Sequence, residues 1–486
     1  MNSTYERLTF RNIGYNSIAK MLMYLFAAVS NVVLGRCLAA GDYGIVSFAF
    51  IFINFMANFA DFGIGNAVIQ RKEIDSAALY TAFTLKFLIG CVVVALTFII
   101  SSLAPIFFDN PQVVVVIRLL SLYFLISNIS FLPSTMLMRE MNFKMISIAE
   151  IVLSFLNSLV AIILALKGYG YWSIVAAYLM ANLVSAVMLA VFRPVAVRFR
   201  LHKEIVREYV NFGGYLFLSG LLVFLIFNLD NFIIGAVNGS RDLGYYAIAY
   251  NWGSMICIVM YMVVLRVVFP LMAKLQGEDG QIRNAYLKTL EYSGYLVVMA
   301  NFVLFAVSRE FLVCILGRNT DKWLPALVSL RILCVYGVLR GLLEPVGQVI
   351  MAQGKTKTLL SANLLASVIE AAAVYPALRF GGIEGVALVV TIAYLSQYMI
   401  FYQYLKRQLQ IGLKDLVRAV RPSLCACLPI LLLYLFMSQY NVATLPMLFG
   451  KAFFLMVVYV LTLGVVTDWE LLRTIETVVA KAKRAV

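Results

Sequence analysis

The chain contains many runs of about 20 apolar residues, and these runs constrain its fold more than any other feature of the sequence. Hydrophobic residues fill 63% of its 486 positions and charged residues only 13%, a composition far more apolar than that of a soluble domain. Inside a bilayer only helices or closed barrels satisfy their backbone polar groups, and these runs lack the alternation of a barrel strand. We therefore expect an all-α integral membrane protein.

The apolar runs predict about 14 membrane spans, grouped as six, six and two. The first group covers residues 17–38, 45–69, 80–101, 113–132, 145–166 and 172–192. The second group covers residues 215–237, 245–268, 292–308, 325–343, 358–378 and 385–405. Residues 423–440 and 447–466 form the last two spans.

An internal repeat indicates that the two groups of six are copies of one unit. Residues 200 positions apart match in the first two spans of each group, namely Asn31 with Asn231, Gly35 with Gly235, Asp42 with Asp242 and Gly44 with Gly244. A second register, 212 positions apart, matches Pro133 with Pro345 and Gly170 with Gly382. Because six is even, both copies enter the membrane in the same orientation, which predicts two parallel six-helix lobes.

The spans and the repeat define five regions. We predict an N-lobe at residues 1–192, a C-lobe at 215–405, two further spans within 406–466 and an amphipathic cytoplasmic tail at 467–486. A basic linker at residues 193–214 joins the lobes, and its Leu201, Ile205 and Tyr209 recur at helical spacing. This spacing favours a helix that lies along the membrane surface, and a solvated linker is the alternative.

The positions of the cations predict the topology. The net charge of +15 raises the question of a nucleic-acid partner. With both termini on one side, however, the predicted loops of that side hold 25 lysines and arginines, and the opposite loops hold six. This asymmetry follows the positive-inside rule, so we expect cytoplasmic termini and no nucleic-acid partner.

The sequence offers few residues for catalysis or metal binding. Its one histidine, His202, lies in the linker, so a metal or catalytic site based on histidine is not expected. The segment "GQVIMAQGKT", Gly347 to Thr356, ends like a phosphate-binding loop, but six residues separate its glycines where that motif requires four. We expect no enzymatic activity, no metal ion and no cofactor.

Polar side chains form stripes along the first two spans. At 100° per residue each stripe stays within about 60° of arc. The first-span stripe is Ser17, Lys20, Tyr24, Asn31 and Gly35, and the second-span stripe is Ser47, Asn54, Asn58, Asp61 and Gly65. The 200-residue register places Ser254 and Tyr261 at the positions of Asn54 and Asp61, and Asn228 and Asn231 on a corresponding face of span seven.

A charged group at the centre of a bilayer costs about 3 kcal/mol, so these side chains should face a cavity or a polar partner. For a single residue, an interhelical hydrogen bond is as good an interpretation as a cavity. Aligned stripes in both lobes favour a shared water-filled cavity. We assign to this cavity Lys20, Asn31, Asn54, Asn58, Asp61, Asp230, Asn231, Ser254 and Tyr261.

Three charged residues near the stripes have alternative interpretations. Asp230 is offset by about 100° from Asn231, so it either flanks the cavity or pairs with a cation such as Arg266. Arg36 lies near the end of a span and either faces an anion or extends its guanidinium to the outer interface. We keep Arg36 and Arg266 as candidates for anion binding or ion pairing.

Three segments resemble the Wzx-type flippases that export lipid-linked oligosaccharides in bacteria, within the multidrug, oligosaccharidyl-lipid and polysaccharide exporter superfamily. They are "VVLGRCLAAGDYGIV", "DFGIGNAVIQRKEID" and "NLDNFIIGAVNGSRDLGYYAIAYNW", the last followed by "VVFPLMAKLQGEDGQIRNAYLKTL". The likeness is to the branch that exports colanic or teichuronic acid. With the six, six and two spans, it covers most of the chain.

The resemblance implies two lobes that move an undecaprenyl-pyrophosphate-linked sugar chain outward across the bacterial inner membrane by alternating access. Lys20 would then attract the pyrophosphate or an acidic sugar, and the asparagines of the stripes would bond sugar hydroxyls. Asp61 is a candidate site for coupling to H+ or Na+. The expected partners are a lipid-linked oligosaccharide, membrane lipids and other polysaccharide-assembly proteins, and we expect a monomer.

Two other functions compete with this interpretation. A multidrug or cation antiporter of the same superfamily would use cavity carboxylates, against which Lys20 and the repeated asparagines argue; drug-resistance tests would discriminate. An integral membrane glycosyltransferase or polymerase would lengthen a labelled lipid-linked sugar, which a flippase cannot do. The repeated lobes and short outer loops argue against that activity.

Overall fold

A computed structural model gives the fold of the chain. The structure describes residues 3–71, 74–108, 110–140, 142–275, 278–317, 320–353, 355–437 and 444–469. Side chains are described within these ranges except at 3–18, 70, 212–216, 218–220, 222–223, 225–227, 256, 259–271, 273–274, 279, 356 and 437. The regular secondary structure of the described residues is helical throughout, which confirms the predicted all-α fold.

The helices are numbered in chain order. The first nine are α1 Ser3–Cys37, α2 Ala40–Asp61, α3 Ile64–Gln70, α4 Ser76–Ser101, α5 Ala104–Phe107, α6 Gln112–Ser121, α7 Tyr123–Arg139, α8 Phe143–Leu166 and α9 Trp172–Phe192. They are followed by α10 Lys203–Lys274, α11 Asp279–Ala306, α12 Ser308–Glu310, α13 Leu327–Ala352, α14 Thr356–Gln408, α15 Leu413–Met437 and α16 Leu445–Val466. A π-helix at Phe311–Leu316 and a 3₁₀-helix at Asp321–Ala326 connect α12 to α13.

The helices match the predicted spans. Among the described residues, 11 segments are long and apolar enough to cross a membrane. Ten of them each overlap one predicted span, and the segment Lys357–Gln408 contains two. The two remaining predicted spans, 215–237 and 245–268, lie in α10, whose side chains are described only in part. The protein is therefore a multi-pass membrane protein.

Two glycines break the long helices at turns between predicted spans. Gly239 in α10 has φ 81° and Gly382 in α14 has φ 58°, backbone conformations that glycine adopts without a steric penalty. Gly170, the counterpart of Gly382 in the 212-residue register, has φ 53° just before α9. The other pair of that register, Pro133 and Pro345, lies inside α7 and α13. The register thus pairs residues with the same structural role.

The second predicted span, residues 45–69, is not one continuous helix. Its first part, α2, ends at Asp61, and Phe62 and Gly63 adopt left-handed conformations with φ 40° and 66° before α3 begins. The prediction that Gly65 continues the polar stripe of this span is wrong, because a rotation of 100° per residue does not carry across the break. A Cβ at Gly65 would instead lie 3.5 Å from the Phe131 side chain of α7.

The linker also differs from its predicted arrangement. Its residues 193–202 are not helical, and α10 begins at Lys203. Ile205 and Tyr209 are buried in an apolar cluster with side chains of α3, α4 and α7, whereas Leu201 stays exposed. The prediction of a face lying on the membrane is therefore wrong for Ile205 and Tyr209, since neighbouring helices supply the apolar surface. Burial raises the pKa of the Tyr209 hydroxyl, and the Arg71 guanidinium opposes that shift.

The chain divides into two compact units, Met1–Ala247 and Ile248–Val486. The first unit contains α1 to α9 and the part of α10 that extends just beyond the Gly239 kink. The second contains the rest of α10 and the helices that follow. The predicted lobe boundaries at 192 and 215 fall within the first unit and stay a prediction.

Candidate functional site

Two motifs with small residues four positions apart bring α2 and α10 together in the first unit. Ala40 and Gly44 lie in the first turns of α2, and Ser240 and Gly244 follow the kink of α10. A Cβ on Gly44 would lie 1.7 Å from the Ser240 carbonyl oxygen, and a Cβ on Gly244 would lie 1.9 Å from the Ala40 carbonyl oxygen. The repeat copies thus make a reciprocal contact, in which small residues allow the backbones to approach closely.

The two aspartates of the repeat hold the chain on either side of this glycine crossing. An oxygen of the Asp42 carboxylate accepts a hydrogen bond of 2.8 Å from the Ala39 backbone N–H, at the start of α2. An Asp242 oxygen accepts a bond of the same length from the Asn238 side chain, across the kink at Gly239. The matched aspartates therefore have a local structural role.

Phenylalanines continue the contact between α2 and α10 within the first unit. Phe55 contacts Phe224 with ring centroids 5.5 Å apart, and Phe59 contacts Phe217 at 4.8 Å. A cavity of about 360 Å³ lies beside the rings of Phe55 and Phe224, and Asn228 is among its lining residues. Since the lining is otherwise apolar, this aromatic cavity suits an apolar group better than a sugar.

The predicted polar stripe occupies another part of the α2 surface. Asn54 is exposed, and Asn58 is half-buried and donates its side-chain amide to the Asn54 carbonyl oxygen at 2.8 Å. Asp61, the last residue of α2, has 72% of its side chain exposed. The three residues follow one another at spacings of four and three, so α2 presents them on one face.

A lysine of α4 lies next to the last residues of this stripe. Lys86 is buried, and its Nζ donates to the Ala60 carbonyl oxygen at 2.6 Å and lies 3.7 Å from an Asp61 carboxylate oxygen. In the sequence Lys86 is only one of several charges within a span, with nothing to indicate its partner. The structure adds it to the candidate site.

Lys20 forms an ion pair with Glu150 of α8, with 2.9 Å between Nζ and the carboxylate oxygen. The two side chains are 25% and 33% exposed, so the ion pair is partly accessible at the protein surface. The other predicted residues of α1 are Asn31, which is half-buried, and Arg36, which is half-buried in the last turn of the helix. The sequence predicted Lys20 but not its partner.

Asp230 is buried, with 5% of its surface exposed. One carboxylate oxygen accepts from the Tyr246 hydroxyl at 2.7 Å, and the other accepts from the backbone and side-chain N–H groups of Asn231 at 2.7 and 3.0 Å. In this conformation Asp230 therefore holds the two sides of the Gly239 kink together and does not face a cavity. Asn231 is half-buried beside it.

The counterparts predicted by the 200-residue register lie in the second unit. Ser254 is 1% exposed and donates its hydroxyl to the Tyr250 carbonyl oxygen, so it packs inside the unit in this conformation. Tyr261 and Arg266 are in the helix α10, and their side chains lie outside the described residues. The pairing of Asp230 with Arg266 therefore stays a prediction.

The second unit contains a polar network that the sequence did not predict. Arg340 lies 3.5 Å from a Glu344 carboxylate oxygen, and its Nη1 donates to the Tyr336 hydroxyl at 3.2 Å. The Tyr250 hydroxyl lies 3.3 Å from that of Tyr336. The sequence feature that could have predicted this network is an arginine with a glutamate four residues later in an apolar span. This spacing brings side chains together on a helix.

Other charges within spans have structural partners. Lys451 of α16 pairs with Glu310 of α12, and Nε of Arg331 donates to the Ser308 hydroxyl at 2.9 Å. Among the described residues, no group of three or more His, Cys, Asp and Glu side chains comes together as metal ligands would. The absence of a metal or cofactor stays a prediction.

Comparison with known proteins relates this sequence to polysaccharide biosynthesis proteins. The sequence is 26% identical to the "Lipopolysaccharide biosynthesis protein WzxC" of Escherichia coli strain K12, over 80% of this chain and 78% of that protein. It is 25% identical to the "Teichuronic acid biosynthesis protein TuaB" of Bacillus subtilis strain 168, over 79% of this chain and 80% of that protein.

The fold is similar to that of a solved structure described as "Lipid II flippase MurJ, inward closed conformation", with a TM-score of 0.75, 14% identity, and coverage of 92% of this chain and 98% of the other. The model of the family described as "Polysaccharide biosynthesis protein" matches residues 33–328. The resemblance predicted from the three sequence segments is confirmed. The chain belongs to the polysaccharide biosynthesis protein family.

Proposed function

We propose that this protein flips a lipid-linked oligosaccharide from the cytoplasmic to the outer leaflet of the bacterial inner membrane. Its relatives are named as proteins of lipopolysaccharide and teichuronic acid biosynthesis, and one protein of similar fold is named as a lipid II flippase. The observation that carries the proposal is the polar line of Asn54, Asn58 and Asp61 along one face of α2, together with the partly exposed Lys20 of α1, within otherwise apolar helices.

The chemistry of the substrate explains why such a line is needed. A hydroxyl group moved into hydrocarbon without a hydrogen-bond partner costs about 4–8 kcal/mol, so a sugar chain with many hydroxyls cannot cross a bilayer unaided. Amide and carboxylate groups along α2 provide donors and acceptors that replace water. The polyprenyl tail has no such requirement and can stay in the lipid.

Lys20 provides the positive charge for the anionic part of the substrate. In the present conformation Glu150 neutralises it at 2.9 Å. A pyrophosphate has more negative charge than a carboxylate and can therefore compete with Glu150 for the ammonium group. Binding then exchanges one partner of Lys20 for another, and the exchange leaves Glu150 free to repel the anion during release.

Asp61 is the proposed coupling site for H+ or Na+. Its carboxylate is largely exposed and lies 3.7 Å from Lys86, a distance at which a bound cation would compete with the ammonium group. The membrane potential adds to any such coupling, because outward movement of an anion from a negative cytoplasm is favoured by about 2.3 kcal/mol per charge per 100 mV.

The remaining assignments follow from this function. Both termini lie in the cytoplasm, as the distribution of lysine and arginine in the loops supports. The protein acts as a monomeric transporter without a catalytic step, and its partners are the lipid-linked oligosaccharide, membrane lipids and other polysaccharide-assembly proteins.

Flipping of a fluorescent lipid-linked oligosaccharide by the purified protein in proteoliposomes tests the proposal. We expect Lys20→Ala and Asp61→Ala to slow flipping while both proteins still insert into the membrane. Lys167→Ala is the matched control, because this exposed lysine lies just after α8 and outside the stripes.

Three outcomes would overturn the proposal. Flipping at the wild-type rate by both variants would remove the two residues from the substrate pathway. A lengthened sugar chain would indicate a polymerase. Increased drug resistance in a strain without its own efflux pumps, with no flipping, would indicate an antiporter.

A further inference from the structure

The second unit has a basic cleft that lies apart from the polar stripes of α1 and α2. The cleft has a volume of about 720 Å³ and is formed by α11, α15 and the turn that follows α16. Its cationic residues are Arg283 and Lys288 on α11 and Arg418 and Arg421 on α15. Four cations from two helices around one opening form a favourable site for an anion.

Three carboxylates also line the cleft: Asp468 lies in the turn after α16, and the other two, Asp415 and Glu291, are occupied by other groups. Asp415 pairs with Arg283 at 2.9 Å and also accepts a hydrogen bond from the Gly412 backbone N–H at 3.0 Å. Glu291 accepts a hydrogen bond from the Tyr295 hydroxyl. Within the described part of the chain, Lys288, Arg418 and Arg421 form no ion pair, so their charges remain available to a ligand.

Arg283 is held in place at the inner wall of the cleft. Its Nη2 donates to Asp415, while its Nε is buried and has no acceptor among the described residues. A buried guanidinium N–H without an acceptor is unfavourable by about 1–3 kcal/mol. A ligand oxygen that entered the cleft would meet a positioned, partly unsatisfied donor.

The cleft is amphiphilic. Leu287 and Val466 form part of its lining beside the cations. One face of α15 carries Val417, Arg421 and Leu424 at helical spacing, and the two apolar side chains are 55% and 48% exposed. A molecule with an anionic head and an apolar tail would match this face, with its head in the cleft and its tail along the helix.

The turn after α16 indicates the depth of the cleft in the membrane. Asp468 and Trp469 adopt left-handed conformations with φ 48° and 58°, and the Trp469 backbone N–H donates to the Gly464 carbonyl oxygen at 2.8 Å. A Cβ on Gly464 would lie 2.7 Å from the indole ring, which therefore folds back over the helix end. Tryptophan concentrates at the level of lipid headgroups, so the adjacent cleft lies where headgroups are.

We propose that this cleft binds the phosphate-bearing headgroup of an anionic membrane lipid, whose acyl chains lie along α15. The ligand chemistry is a phosphate mono- or diester, and its source is the lipid bilayer, on the side for which the sequence predicts the cytoplasm. Arg418, Arg421 and Lys288 contact the phosphate oxygens, and Arg283 closes the inner wall.

Native mass spectrometry of the full-length protein in detergent tests this binding with phosphatidylglycerol as the probe and phosphatidylcholine as the uncharged comparison. We expect the wild-type protein to retain phosphatidylglycerol preferentially. The variant Lys288→Gln/Arg418→Gln/Arg421→Gln should weaken retention on the order of 100-fold. This corresponds to about 3 kcal/mol, as each cation near an anionic surface contributes about 1 kcal/mol and 1.4 kcal/mol is a factor of ten.

The matched control is Arg198→Gln/Arg200→Gln/Lys203→Gln, which removes the same charge from exposed linker positions outside the cleft. Equal loss of phosphatidylglycerol in both triple variants, or equal retention of phosphatidylcholine by the wild type, would overturn the proposal. Displacement of the lipid by millimolar inorganic phosphate would assign the site to a soluble anion instead. If the triple variant does not fold, the exposed single change Arg421→Gln carries the test, with Arg421→Lys expected to restore retention.

Discussion

The glycine crossing predicts that alanine destabilises the protein at Gly44 but not at Gly41, which lies three residues away on α2. A Cβ on Gly44 would lie 1.7 Å from the Ser240 carbonyl oxygen, whereas a Cβ on Gly41 would have its nearest neighbour, the Ser240 Oγ, at 3.8 Å. Gly41→Ala is thus a control on the same helix with the same chemical change. Of these two substitutions on α2, only Gly44→Ala disturbs the crossing.

The distances at the crossing set the size of the expected destabilisation. A Cβ essentially never approaches another heavy atom closer than 3.0 Å, so the backbone at Ser240 must retreat by the difference of 1.3 Å. No rotamer change can relieve the clash, because the obstructing atoms belong to the backbone. Overpacking of this kind destabilises by about 1–3 kcal/mol, while Gly41→Ala should be neutral or stabilise by up to about 1 kcal/mol through helix propensity.

Thermal unfolding of the purified protein in detergent measures the difference. We expect a lower unfolding midpoint for Gly44→Ala and for Gly244→Ala, and an unchanged or higher midpoint for Gly41→Ala. In the double variant Gly44→Ala/Gly244→Ala the second change should have a smaller effect than it has alone, because the first has already separated the two backbones.

Two results would refute this reasoning. One is a midpoint for Gly44→Ala equal to that of Gly41→Ala, since the backbone approach at Ser240 would then have no energetic weight. The other is full additivity of Gly44→Ala and Gly244→Ala, because the two glycines would then belong to independent contacts and not to one reciprocal crossing.

Three further predictions concern the proposed transport. The swap Lys20→Glu/Glu150→Lys should keep the ion pair but reduce flipping, because the cation moves from α1 to α8; wild-type flipping would show that only the pair matters. Asp61→Asn should abolish any dependence of flipping on a pH or sodium gradient in proteoliposomes, and an unchanged dependence would place coupling elsewhere. Flipping should accelerate when a potential that is negative on the substrate side is imposed, and indifference to the potential would exclude electrophoretic transport.

The sequence predicted the spans well because a bilayer requires long apolar helices, and length and hydrophobicity are both local properties. The predicted span limits also leave Gly170 and Gly382 between spans, where the structure shows turns with a positive φ at both glycines. The polar stripe of α2 was correct up to Asp61 and wrong beyond it. A rotation of 100° per residue applies to one continuous helix, and no neighbouring residue type indicates that Phe62 adopts a left-handed conformation.

Partners of charged residues were not predictable in the same way. Lys20 and Glu150 are 130 positions apart, and their contact depends on how α1 and α8 pack and rotate. Asp230, one of the residues assigned to the cavity, is buried against Tyr246 on the other side of the kink, a contact that the sequence did not predict, and its pairing with Arg266 stays a prediction. In each case the residue type was informative, but the partner was set by tertiary packing, which periodicity does not encode.

The repeat separates residues that build the fold from those that perform its chemistry. The registers keep Gly44 with Gly244 and Asp42 with Asp242, and the structure gives these residues matching roles in the crossing and its turns.

The charged residues described above lie where the copies differ, whereas Asn31 and Asn231 of the predicted cavity are shared. The counterpart of Lys20 is Gly220, that of Asp61 is Tyr261, and that of buried Asp230 is buried Ser30. Arg340 likewise corresponds, in the 212-residue register, to the buried Asn128. A substrate with a charged end and a neutral sugar chain has no internal symmetry, so a pathway built from two similar helix sets must lose its symmetry at the positions that contact the substrate. For this reason we expect alanine at Lys20 or Asp61 to impair flipping more than alanine at Ser254, although all three belong to the same predicted stripes.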